Sequence, residues 1–128
     1  MKMKKLLTPI ALILFISFSK ADFISLSQDD NLKEVQKTER TSFVVKGNCK
    51  MCKKRIEKAA LSIKGVKMAT WDIPSNMIDI IYDVKKIDLK DVHDKISSVG
   101  HDTDKIKARD DVYDALPMCC QYRTEPIH

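Results

Sequence analysis

Between residues 41 and 108 the apolar positions follow two different periods in turn. Phe43, Val44 and Val45 form a short β-branched and aromatic run, which predicts a strand. Gly47 and Asn48 break that run. Cys52, Ile56, Ala59, Ala60 and Ile63 then recur at helical spacing with charged residues between them, which predicts an amphipathic helix over 52–63, stopped by Gly65. Residues 66–73 and 77–82 read as two strands joined through Pro74-Ser75-Asn76, a run typical of a hairpin turn. Asp88 is placed to cap a second helix whose apolar stripe is Leu89, Val92, Ile96 and Val99, ended by Gly100. A weaker strand is expected over about 103–108. With right-handed crossovers, the order β-α-β-β-α-β predicts an α+β, ferredoxin-like plait: a four-stranded antiparallel sheet with both helices on one face. Its core would draw on Phe43 or Val44, Val45, Ile56, Ala60, Ile63, Met68, Ile78, Ile80, Val92, Ile96 and Val99.

The flanking segments differ in character. Residues 1–5 carry three lysines, 6–18 are almost wholly apolar, and Ser19-Lys20-Ala21 places small residues at −3 and −1. That order predicts a secretory signal peptide over 1–21, cleaved near Ala21, and hence a periplasmic or secreted protein with no stable membrane anchor after cleavage. The apolar run is short of the roughly 20 residues that cross a bilayer. Residues 22–40 are polar and read as a flexible linker. Residues 109–128 form a tail, with a short helical turn over 110–116 ended by Pro117, followed by Cys119-Cys120 and the terminal His128.

Charge adds one exclusion. The chain has 23 Lys+Arg and 18 Asp+Glu, a formal net charge of +5. Four of those lysines lie in residues 1–21, and their removal leaves 19 basic against 18 acidic residues. The basic excess belongs to the leader, so it gives no argument for nucleic acid as a partner.

Candidate chemistry gathers at Gly47-Asn48-Cys49-Lys50-Met51-Cys52. Two thiols two residues apart, one in a loop and one in a first helical turn, can point at a single atom. The helix N-terminus and Lys50, Lys53 and Lys54 favour the thiolate. Thiolate sulfur is a soft ligand, and a two-sulfur loop site suits Cu(I) while leaving a structural zinc site two ligands short. CxxC is also the dithiol of thiol–disulfide redox proteins. Against that use, the spacer is Lys50-Met51 and the element order is not that of a thioredoxin core. A structural disulfide and a catalytic nucleophile are the other readings. No paired-carboxylate site, phosphate loop or triad is present, so an enzyme is not expected.

The series strand, Gly-x-Cys-x-x-Cys, helix, Gly-Val, strand, turn, strand, helix, Gly resembles the heavy-metal-associated domain family over residues 41–108. That family includes copper chaperones, domains of copper-transporting ATPases and periplasmic mercury-binding proteins. The resemblance implies that Cys49 and Cys52 are metal ligands for Cu(I), with Hg(II) or Zn(II) as alternatives. It implies a carrier or scavenger that passes its ion by thiolate exchange to a metal-transporting ATPase or another metal-binding domain. The apo protein would be a monomer, with a metal-bridged dimer as a further state. One departure is visible: the family commonly has a methionine that packs beneath the loop, where Lys46 and Gly47 stand here. Some copper chaperones of the family have a histidine at the place of His101, which would bring it towards the metal; otherwise His101 is a solvated residue capping a helix end. His93 is expected on the polar side of its helix. Cys119 and Cys120 would join the first site, form a second one or close a vicinal disulfide, and Cys-Cys tails in exported relatives favour a metal role. Met51 and Met118 are read as packing residues able to assist as thioethers.

Overall fold

The computed structural model describes residues 37–124. The leader, most of the linker and His128 lie outside the described residues. Three strands, β1 (Thr38–Val44), β2 (Val66–Trp71) and β3 (Met77–Asp83), form an antiparallel sheet in the order β1-β3-β2. Helix α1 (Lys50–Leu61) packs on β2 and on α2 (Leu89–Ser98). A short helix α3 (Asp110–Asp114) and a 3-10 turn at Met118–Cys120 follow. Among the described residues no helix is long and apolar enough to cross a membrane.

Each element has a local cause. In α1, Cys52, Ile56, Ala59 and Ala60 share one buried stripe on an otherwise charged helix, so burial of that stripe fixes its rotation on the sheet. In α2, the Asp88 carboxylate accepts from the Lys90 amide while the Asp91 carboxylate accepts from the Asp88 amide, each at 3.0 Å. This reciprocal capping satisfies amides that a helix start leaves unpaired. The β2–β3 turn is held by the Asp72 carboxylate, which accepts from the Ser75 amide and hydroxyl. Asn76 closes it at φ 58°, a left-handed conformation that asparagine tolerates.

The expected fourth strand is a correction. One antiparallel bridge, Val45 to Thr103, stands where 103–108 was predicted to pair. Two backbone hydrogen bonds flank it, Lys46 N to Asp102 O and Asp104 N to Val44 O. Beyond them the Thr103 hydroxyl accepts from the Lys105 and Ile106 amides at 3.3 and 3.0 Å and bends the chain off the sheet edge. The sheet among the described residues therefore has three strands, not four. β1 also starts at Thr38, three residues before the predicted domain start. Backbone pairing carries it through Thr38 to Ser42, whose outward side chains Arg40 and Ser42 both reach Asp79.

The core holds Phe43, Val45, Ile56, Ala60, Ile78, Ile80, Val92 and Ile96, as the apolar pattern requires. Ile63, Met68 and Val99 are only half-buried. Met68 loses its place because β2 is irregular between Val66 and Met68, so Ala69 and Trp71 face inward instead. Trp71 is fully buried. Its ring runs under Gly47, where a Cβ would come within 2.9 Å of the indole, and its Nε1–H donates to Val45 O at 3.0 Å. Where the resemblance implied a methionine beneath the loop, Gly47 carries no side chain and leaves the room for the indole.

Candidate metal centre

The loop carrying Cys49 is pinned before it reaches the thiols. The Gly47 amide donates to Asn76 Oδ1 at 3.0 Å, and the Val45 amide to the Asn76 carbonyl at 2.8 Å, so the hairpin turn clamps the end of β1. Trp71 supports it from below. From above, His101 Nδ1 lies 2.8 Å from the Lys46 carbonyl. A carbonyl only accepts, so Nδ1 carries the hydrogen and the Nε2 lone pair is left buried without a partner.

On this support Cys49 is the residue immediately before α1, in extended backbone, and Cys52 is in the first turn. Their sulfurs are 3.4 Å apart. Cys120, from the 3-10 turn, places its sulfur 3.7 Å from that of Cys49. Cys119 lies 3.9 Å from Cys120 on the solvent side, and its thiol points at Met51 Sδ, 3.4 Å away. The sulfurs of Cys49, Cys119 and Cys120 all lie within 4.8 Å of one another. His101 is outside that cluster, and instead of being solvated it is completely buried with its ring stacked on Tyr122 at 5.3 Å. His93, expected on a polar face, is also buried. It lies under the Phe43 ring at 4.0 Å, with Nδ1 2.8 Å from the Thr103 hydroxyl.

The thiols are not equivalent. Burial works against ionisation of Cys49, but the amides of Cys52 and Met51 and the neighbouring thiols outweigh it and hold its pKa below the usual cysteine value. Burial pushes Cys52 up, and its thiol donates to Asn48 Oδ1 at 3.3 Å. Burial beside two other sulfurs pushes Cys120 up strongly. Cys49 is therefore the first of the three to give up its proton, and an incoming cation must also displace protons from Cys52 and Cys120. Of the three lysines expected to assist, Lys53 is committed elsewhere, to Glu57 at 2.6 Å and to the Trp71 carbonyl.

The tail is part of the fold. Leu116 packs against Gly100, which has φ +103° and a Cβ position only 3.0 Å from a Leu116 methyl. Tyr122 donates to Gly100 O and accepts from the Asp102 amide, both at 2.8 Å. Arg123 makes two bonds to Asp102 at 2.8 and 3.2 Å and stacks 4.0 Å over Tyr113. The sequence pattern missed Asn48, Trp71 and Tyr122 as parts of the site's support. For Tyr122 the one available signal was an aromatic two residues after Cys120.

The two buried histidines give a testable pH dependence. Burial lowers the pKa of His93, and takes His101 down to about 4. Above pH ~6.5 both are neutral, folded or unfolded. Below it the unfolded chain takes up protons that the folded chain refuses, so stability falls as pH drops. The apo protein is expected to lose up to about 1.4 kcal/mol per pH unit between pH 6.5 and 5 from His101, with His93 adding in the same direction. Urea melts at several pH values check this, and a flat profile over that window contradicts it.

Residues 43–102 match the heavy-metal-associated domain model. A search of the curated proteins finds no match. Among solved structures, the chain is similar to the CopZ metallochaperone at 27% identity and a TM-score of 0.50, over 51% of this chain and 98% of that one. Oxidized MerP from Ralstonia metallidurans CH34 is 18% identical with a TM-score of 0.50, over 52% of this chain and 93% of that one, a likeness of fold alone. The water-soluble region of the P-type ATPase CopA from Bacillus subtilis is 25% identical with a TM-score of 0.50, over 53% of this chain and 46% of that one. The element order, the Cys49–Cys52 pair at the start of α1 and the family match agree, and the chain carries a heavy-metal-associated domain over residues 43–102.

Proposed function

We propose that this protein is an exported carrier or scavenger of a soft metal ion, Cu(I) by preference, which it receives and hands on by thiolate exchange. The observation that carries this reading is the convergence of Cys49 and Cys52 at 3.4 Å, with Cys120 at 3.7 Å from Cys49. Three sulfurs at such separations satisfy the low coordination number of Cu(I), and thiolate sulfur is a soft ligand that favours it. His101 braces the loop in this reading. Export rests on the basic, apolar and small-residue order of 1–21.

Delivery requires docking to a second metal-binding protein, and a copper-transporting ATPase domain is the partner class proposed. Beside the site a groove of about 680 Å³ between α1 and α2 is lined by Met51, Lys54, Arg55, Lys58 and Lys95, which suits an acidic partner surface. A dithiol exchange role is less well supported. A protein disulfide would have to approach Cys49, and Cys120 already lies against that sulfur.

X-ray absorption on the reduced chain with one equivalent of Cu(I) tests the assignment. A first coordination sphere made only of sulfur is expected, together with retention of Cu(I) over Zn(II) in chelator competition. A sphere dominated by nitrogen or oxygen defeats it.

A further inference from the structure

The 3-10 turn and the first turn of α1 face each other, and each splits a pair of adjacent residues between inside and outside. Neighbouring residues are about 100° apart on an α-helix and about 120° apart on a 3-10 helix. In α1, Cys52 therefore points inward and Met51 outward, 0% and 49% exposed. In the 3-10 turn, held by the Cys120 amide donating to Pro117 O at 2.7 Å, Cys120 is 0% exposed and Cys119 faces solvent. The two inward sulfurs gather with Cys49. The two outward ones meet each other at 3.4 Å.

We propose that Cys119 and Met51, sharing Cys120 with the inner trio, form a second soft-metal site on the solvent side of the first. This rests on the carrier reading above and extends it from one ion to two. An ion held by Cys49, Cys52 and Cys120 has its sulfur requirement met, and Cys119 and Met51 remain unused. Cys120, 3.7 Å from Cys49 and 3.9 Å from Cys119, is placed to bridge.

The chemistry of the outer pair selects its cargo. The Cys119 thiolate balances the charge of Cu(I) and the thioether adds a soft neutral donor, whereas a thioether is a poor partner for Zn(II). Exposure points the same way. Among the described residues the exposed large apolar side chains are Met51, Leu61 and Met118, and the two methionines flank Cys119. An exposed methionine gains little from burial, and its sulfur stays available to an arriving ion. Binding there releases the Cys119 proton and forms bonds from Cu(I) to Cys119, Met51 and the bridging Cys120 sulfur, whose proton the first ion has already displaced, with no change in oxidation state.

The test is a Cu(I) titration of the reduced chain under chelator competition, with the methionine methyl groups followed by NMR. Two equivalents are expected. The first leaves the Met51 methyl resonance in place, and the second moves it and protects Cys119 from alkylation. Met51→Leu, which keeps the bulk of the side chain, and Cys119→Ser are each expected to weaken the second equivalent at least about tenfold, leaving the first unchanged. A firm first equivalent with a Met51 resonance that stays still to saturation overturns the outer site alone. Retention of the second equivalent by both variants does the same. Absence of any firmly held first equivalent overturns the carrier reading, and the outer site with it.

Discussion

A chain carrying both Cys49→Ser and Cys52→Ser is expected to bind Cu(I) weaker by at least three orders of magnitude while keeping its fold. A zinc-finger site with four ligands binds with about 10–16 kcal/mol, so each ligand carries on the order of 3 kcal/mol and two carry on the order of 6. Losing 1.4 kcal/mol costs tenfold, which makes a thousandfold loss a low bound even if Cys120 and a second donor partly compensate. The fold should survive because the exchange is nearly isosteric. In the Cys52→Ser chain the new hydroxyl could still donate to Asn48 Oδ1, as the Cys52 thiol does at 3.3 Å, so no buried donor is left unpaired. Cys49 lies outside the helix proper, and its backbone geometry does not depend on sulfur. Chelator competition gives the affinity, and a urea melt of the apo variant gives the fold. Parent-like affinity in the double variant would move the site elsewhere.

That site was legible in the sequence because its signal is local. Gly-x-Cys-x-x-Cys between a β-branched run and a helical stripe fixes the two thiols within four residues, and the structure puts them at the start of α1 as expected. Asp88 was legible for the same reason, since a cap depends only on the residues that follow it. The inward alternation of β3 at Ile78 and Ile80 also shows in sequence, because one face of the strand is buried throughout.

The remaining features depend on contacts between distant segments. Nothing near Thr103 shows that its hydroxyl will take two amides and bend the expected last strand away. Thr38, Glu39 and Arg40 look like linker, and they belong to β1 because β3 offers its edge and, to Arg40, Asp79. Gly47 reads as a loop breaker, yet its lack of a Cβ matters because Trp71, 24 residues later, needs that space. The largest gap concerns residues 109–124. Their polar composition hides Leu116, Tyr113 and Tyr122, three contacts that turn a tail into a cover for the thiols. Cys52 is buried with the stripe of α1, and Cys49 is only 7% exposed, with Cys120 from the tail directly against it. A carrier so covered must open the tail to exchange ligands.

Opening is expected to be controlled by the anchor at Tyr122 and Arg123. In the apo, reduced protein, Tyr122→Ala combined with Arg123→Ala should raise the alkylation rate of Cys120 and Cys49 by on the order of a hundredfold. Tyr122 is half-buried, so its truncation costs about 2–3 kcal/mol, below the 3–5 kcal/mol of a fully buried aromatic. The Arg123–Asp102 pair, about a fifth exposed, adds on the order of 1 kcal/mol after allowing for solvent screening. Together these shift the closed-to-open equilibrium by roughly 3–4 kcal/mol, and thiol reactivity follows the open population where opening is a local event. Tyr122→Phe separates the contributions. It keeps the stack on His101 and the edge contact with Tyr113 at 5.1 Å, and loses only the hydroxyl's bonds to Gly100 and Asp102. Its effect should be about tenfold. Hydrogen exchange in β3 should stay slow in both variants, which separates release of the tail from global unfolding. If Cys120 reacts no faster once both anchors are gone, the cover is held by Leu116 and Tyr113 instead, and the gate lies one turn earlier in the chain.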